Sequence, residues 1–162
     1  MKRARWPALL FFLLAVAGAA WRAPLPAAPA FVPPPAAQPD PNPPSFAAAL
    51  LPTAAPSAHA AALAELADGR IAAAWFAGTR EGAADVAVWL ATLGTGGWSA
   101  PQPIATREGT AAATRAYVRK VGNPVLYAEG GRLHLWFVSV ALGGWAGSSL
   151  NHAVSVDTGA NW

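Results

Sequence analysis

Three regimes of hydrophobic and polar spacing succeed one another along the chain. Residues 6–20, WPALLFFLLAVAGAA, form an apolar stretch. Residues 23–56 carry proline at a density that excludes regular helix and central strand. From about residue 58 the spacing is that of strands. AAALAEL (60–66) predicts a first strand, and ADGR (67–70) a turn built on Asp-Gly, the strongest short hairpin signal. IAAAWFAG (71–78) is apolar at both odd and even positions, as in a strand buried on both sides. TREGAA (79–84) is a polar loop, and DVAVWLAT (85–92) a third strand. After LGTGG, WSAPQPIA (98–105) reads as a short fourth strand that its prolines place at an edge.

A polar connection, TREGTAAATRAYVRK (106–120), predicted to be partly helical, separates this set from a second one. NPVLYAE is a strand, GGR a turn, LHLWFVSV (133–140) a doubly apolar strand, ALGGWAGS a loop, SLNHAVSV a strand and DTGANW a turn. The two sets align as an internal repeat. Gly69-Arg70 corresponds to Gly131-Arg132, Trp75-Phe76 to Trp136-Phe137, Thr92 to Ser155 and Trp98 to Trp162, at offsets of 61 to 64 residues. Repeated four-stranded antiparallel meanders with aromatic-closed turns predict an all-β chain and a partial β-propeller, one blade per repeat. An ordinary β-sandwich is the competing architecture. Residues 58–162 supply a first blade and most of a second. A closed ring needs typically four to eight, so the expectation is an N-terminal piece of a longer propeller.

The segments before the blades carry targeting and spacing signals. MKRAR is a positively charged start, and Ala15-Val16-Ala17 and Ala17-Gly18-Ala19 both offer small-x-small cleavage sites. Residues 1–22 therefore read as a secretory signal peptide or an N-terminal membrane anchor acting through residues 6–21. Either way the remainder is expected to be exported, to be periplasmic or secreted, or to be held at the inner membrane. Residues 23–57 read as a disordered Ala/Pro-rich linker, with SFAAALL (45–51) able to form one helical turn.

Composition narrows the chemistry. Of 162 residues 54% are hydrophobic, much of that alanine; 12% are charged, and the net charge is +3. No stripe of basic residues alternates with aromatics, so nucleic acid is not an expected partner. There is no cysteine, which removes disulfides, thiolate metal sites and a cysteine nucleophile. The three histidines share no ligand spacing, so no metal and no cofactor are expected. Nothing in the pattern fixes an oligomeric state.

The chain ends on SVDTGANW (155–162), in which every residue type has a turn role. Asp157 can accept N–H groups across its own turn, and Ser155 can add a second side-chain bond. Gly159 can take a positive φ, and Trp162 can fold its ring under the hairpin. The corresponding TLGTGGW of the first set has Gly94 in place of the aspartate. These features read as a structural fastener.

SVDTGANW fits the Asp-box pattern S-x-D-x-G-x-x-W, and together with WFAGTREG, WSAP and GNPVLY it resembles the bacterial sialidase (neuraminidase) group, whose members are six-bladed propellers. The resemblance covers residues 58–162 and implies a glycan or other carbohydrate substrate and glycoside hydrolysis. In that group three arginines hold the sugar carboxylate, an aspartate is the acid/base, and a Tyr/Glu pair is the nucleophile. Carried onto this chain, it implies Asp85 or Glu81 as the catalytic acid and Arg80 as a substrate-binding arginine. His59 stands where the group's first arginine belongs, and is taken with Trp145, an aromatic suited to a sugar face, as substrate-binding. The loss of that arginine favours the second class of function, a non-catalytic propeller that binds glycan or protein. Trp75, Trp89, Trp136 and His134 are expected to be structural.

Overall fold

A computed structural model describes residues 5–22, 32–33, 35–36 and 46–162. Most of the predicted linker, and the charged start of the chain, lie outside the described residues. The chain divides into two compact units, residues 1–46 and 47–162. In the first, helix α1 (Arg5–Arg22) runs 18 residues, about 27 Å at 1.5 Å per residue, against the ~30 Å of a bilayer's hydrocarbon core. Among the described residues no helix is long and apolar enough to cross a membrane. Residues 46–51 adopt no regular structure, so the helical turn expected over SFAAALL does not form there; an isolated turn pays the full nucleation cost for one hydrogen bond.

The second unit is built on two antiparallel sheets. The first comprises β1 (Ser57–Glu65), β2 (Ile71–Gly78), β3 (Ala87–Gly94), β4 (Gly97–Trp98) and β5 (Gln102–Ala105), in the order β1-β2-β3, with β4 and β5 both on the outer edge of β3. The fourth strand is thus split in two, because Pro101 cannot donate to the ladder; Ser99 bridges the gap by accepting the Thr92 N–H at 3.0 Å. Helix α2 (Arg107–Thr114) follows, capped by Thr106, whose hydroxyl accepts from Gly109 N at 3.0 Å. The second sheet is β6 (Lys120–Glu129), β7 (Arg132–Val140) and β8 (Ser148–Ser155), with a short 3₁₀ turn at Gly144–Gly147 before β8. Strand β1 begins at Ser57, three residues before the start predicted for the first strand.

The sheets pack face to face through Ala72, Ala74, Phe76, Val88 and Leu90 of the first and Leu126, Leu133, Leu135 and Phe137 of the second. The other face of the first sheet, Ala73, Trp75, Ala77 and Ala91, is covered by Leu51, Ala54 and Ala55 together with Trp89 and Trp98. Strand β2 is therefore buried on both sides, as its pattern predicts. Strand β7 differs: Leu133, Leu135 and Phe137 are buried, while His134, Trp136 and Val138 are only half-buried.

The ladder registers correct one part of the repeat. In each sheet the first strand carries a bulge at the same point. His59 pairs with Phe76 and, after the bulge, Ala62 with Ala74. Gly122 pairs with Val138 and, after the bulge, Val125 with Trp136. Each bulge contains a non-glycine residue at φ 50, Ala60 and Asn123. Phe76 is thus equivalent to Val138 and Trp75 to Phe137, at the 62-residue offset that also relates Gly69 to Gly131. The Trp-Phe to Trp-Phe alignment is one residue out, and a shift of one moves a strand's side chains to the opposite face. With the bulges in register, Trp75 and Phe137 point the same way through the stack. The β1–β2 and β6–β7 turns lie at the same end, lining one cavity of about 430 Å³. The sheets therefore stack in the same orientation.

Candidate functional site

The bulged ends of β1 and β6 lie opposite those turns. Bulges re-aim side chains and concentrate near sites. The β6 bulge borders a shallow cleft of about 50 Å³ lined by Phe76, Glu81, Lys120, Gly122, Asn123 and Trp145, among others, while the β1 bulge lines a separate cavity with Pro56 and Trp75. Gly122 is the floor: a Cβ built there would sit 3.5 Å from the Phe76 ring. Asn123 holds its φ of 50 where asparagine is tolerated better than most residues. Trp145 comes in on the loop after β7 and is 64% exposed. The Lys120 ammonium lies 5.2 Å from its ring centroid, a cation–π contact.

The candidate residues distribute unevenly around this cleft. Glu81 and Trp145 both line it. His59 does not line it: its ring is stacked on Phe76 at 5.5 Å, its Nε2 is 3.0 Å from Ser57 Oγ, and it lines a separate cavity with Ala60 and Trp75. Arg80 and Asp85 belong to the same β2–β3 loop as Glu81 but are not among the lining residues. Asp85 closes that loop. Its carboxylate accepts the Thr79 N–H at 2.9 Å and the Thr79 hydroxyl at 3.0 Å. The Thr79 backbone bond first, and its hydroxyl with it, hold the Asp85 carboxyl below its ordinary range. A general acid must carry a proton near neutral pH, so this setting suits a clasp better than an acid. The clasp tightens a loop whose neighbour Gly78 has no room for a side chain: a Cβ there would meet Val86 Cγ2 at 2.8 Å.

Lys120, Asn123, Phe76 and Gly122 escape sequence reasoning as site residues. The available signal was GNPVLY itself, where an asparagine before proline interrupts a strand. Among the described residues no group of three or more His, Asp or Glu is placed to hold a metal.

The Asp-box turn lies at the far end of β8 from Trp145. Ser155 is fully buried, and its hydroxyl donates to Asp157 Oδ1 at 2.7 Å while accepting the N–H groups of Gly159 at 2.8 Å and Asp157 at 3.3 Å. Asp157 in turn accepts Asn161 N at 2.9 Å and Asn161 Nδ2 at 2.7 Å. These bonds, the Ser155 hydroxyl first and then Asn161, lower its pKa to about 2. Gly159 takes φ 97, and Trp162 Nε1 donates to its carbonyl at 3.1 Å. Gln102 Nε2 of the first sheet donates to the same carbonyl at 3.0 Å, tying the turn across the stack. All four motif residues are engaged in holding the turn.

Two like-oriented antiparallel sheets, the second followed by a Ser/Asp/Gly/Trp turn that bonds back to the first, define a β-repeat protein. The chain belongs to the BNR repeat-like domain family, whose model matches residues 69–162, more than half its length. No curated protein and no solved structure matches it.

Proposed function

We propose that the two sheets are successive blades of a six-bladed, sialidase-like propeller that is exported and binds glycans in the cleft at the bulged end of β6. The observation that carries this reading is the meeting, in one cleft, of an exposed tryptophan with a cation, a carboxylate and an asparagine amide: Trp145, Lys120, Glu81 and Asn123. An indole face suits the apolar face of a sugar ring, and the polar groups can bond its hydroxyls or carboxylate. The common orientation of the sheets and their shared bulges support the blade assignment. The signal-like start supports export, to the periplasm or beyond.

Binding without turnover is the favoured form of this function. Ligand pockets that enclose a small molecule are typically ~300–1,000 Å³, and this cleft is about 50 Å³. It can seat one face of a sugar but not exclude water from a bond being broken. Asp85 is clasped to Thr79, and His59 occupies the place of the group's first arginine. Hydrolysis is the second reading, favoured by Glu81 at the cleft beside Trp145.

A glycan microarray probed with the full chain, followed by a fluorogenic sialoside assay, separates the two. The expected result is saturable binding to a subset of glycans, lost in Trp145→Ala, with no turnover. Failure to bind any glycan would overturn the assignment, and turnover lost in Glu81→Gln would establish hydrolysis in its place.

A further inference from the structure

The connection between the two sheets carries charge that no carboxylate in the structure answers. Ala105, the end of β5, pairs with Val88 near the start of β3, and β6 begins at Lys120, which lines the cleft. Residues 106–119 therefore lie at the cleft end of the strands. In the first half, helix α2, Arg107 and Glu108 pair with each other. The second half, RAYVRK (115–120), holds three cations around one tyrosine. Arg115 and Arg119 are exposed, and Tyr117 is 63% exposed. Among the described residues none of Arg115, Arg119 and Lys120 has a carboxylate within ion-pair distance. Arg115 also stands where an arginine is costly. It ends α2 at φ 54, the left-handed position that glycine usually fills. A non-glycine residue held in that region points to a function for its side chain.

The two ends of the strands differ in sign. Residues 57–162 carry seven cations and seven carboxylates. Four of the carboxylates, Glu65, Asp68, Glu129 and Asp157, lie at the turn end with only Arg70 and Arg132. The other five cations lie at the cleft end with only Glu81, Asp85 and Glu108. A body with no net charge is thus polarised along its strands, positive at the cleft and negative at the turns. Such a field draws an anionic ligand to the cleft end.

We propose that RAYVRK is a rail continuing the cleft, and that the ligand is an anionic polysaccharide chain with carboxylate or sulfate groups repeated along it. This rests on the glycan reading of the cleft. Lys120 meets the charged group of a unit seated on Trp145. Arg115 and Arg119 are not among the residues lining the cleft, so a single acidic sugar leaves them unused, and they meet the units that follow. The pairing of Trp145 with Lys120 is echoed outside the cleft by Tyr117 between its arginines, a second aromatic face for a sugar ring. Nucleic acid is the other polyanion of this chemistry. One tyrosine among three cations, on a body with no net charge, falls short of the basic face it requires.

Calorimetric titration of the full chain with polygalacturonate, heparin, dextran and single-stranded DNA tests the proposal. The expected result is that polygalacturonate or heparin binds roughly tenfold tighter than dextran or DNA, and that raising salt from about 50 to 200 mM weakens this binding about tenfold, as a few screened contacts require. Which of the two anionic chains binds tells carboxylate from sulfate. Arg115→Gly and Arg119→Gln should each weaken it about threefold, the scale of one exposed charge pair, and together about tenfold. Arg115→Gly, freed of the strained φ, should resist urea at least as well as the parent, which separates lost charge from lost fold. Dextran bound as tightly as the anionic chains, or anionic chains indifferent to both arginine variants, overturns the rail and leaves the glycan cleft standing. DNA bound as tightly as the polysaccharides overturns it as well. If no sugar binds at all, the cleft reading falls and the rail with it.

Discussion

The turns that close the two sheets solve the same problem differently. After β8, a buried serine, an aspartate and an asparagine side chain hold the chain, and Trp162 finds an acceptor in Gly159. After β3, Gly94 stands in for the aspartate and pairs directly with Gly97 in a two-residue hairpin. Trp98 is the counterpart of Trp162, and among the described residues its buried Nε1 has no partner. The short hairpin closes with ladder bonds and the Ser99 hydroxyl that accepts the Thr92 N–H, and leaves an indole N–H orphaned. The Asp box is therefore one of two fastenings in this molecule, and what it diagnoses is the repeat.

Gly159 and Gly97 sharpen that comparison most. Their φ values are nearly equal, 97 and 98, but a Cβ at Gly159 would collide with Leu90 whereas one at Gly97 meets open space. Gly159→Ala should cost about 2–4 kcal/mol through backbone strain and overpacking together, and Gly97→Ala about 1 kcal/mol through backbone strain alone. Urea unfolding of both variants checks the ordering; equal losses would show that the Leu90 contact relaxes freely. Ser155→Ala comes next. It strips the acceptor from the buried Gly159 N–H, and leaving such a donor unsatisfied costs about 1–3 kcal/mol. Thr92→Ala at the equivalent position of the first turn should fall within about 0.5 kcal/mol, the range of ordinary surface changes.

The smallest effect is set by pH. The Asp157 carboxyl titrates at about 2 in the folded chain against 3.8 ordinarily. A depressed carboxylate contributes stability that is complete above its unfolded pKa and is lost as pH falls through the folded one. Thermal stability should therefore decline between about pH 4 and 2, and Asp157→Asn should flatten part of that decline. An unchanged acid limb in the variant would show that the Ser155 and Asn161 bonds do not favour the charged form.

The strands and turns were legible because apolar alternation and Asp-Gly or Gly-Gly punctuation are local. IAAAWFAG announces a strand buried on both sides, and β2 is one. SVDTGANW announces a fastening, and each of its motif residues has the expected partner. What was not legible depends on register. The bulges at Ala60 and Asn123 each add one residue to a strand, the first among alanines with no compositional mark and the second marked only by Asn123-Pro124, and they decide that Trp75 matches Phe137. Strand β6, with the Asn123 bulge, brings Lys120 and Asn123 to the cleft from 39 and 42 positions along the chain beyond Glu81. The role of Asp85 was hidden for a similar reason: GTREGAAD does not reveal that Thr79 takes both carboxylate oxygens.

The central claim is that the Asp-box fastening and the proposed glycan cleft are separate structures at opposite ends of β8. Calorimetric titration of the full chain with sialyllactose and with lactose, for the parent, Asp157→Asn and Trp145→Ala side by side, tests it most directly. The account predicts that the parent and Asp157→Asn bind at least one of these sugars with matching affinity, and that Trp145→Ala, equally stable, binds at least tenfold more weakly. A folded Asp157→Asn chain that has lost binding, or a Trp145→Ala chain that retains it, would contradict the account.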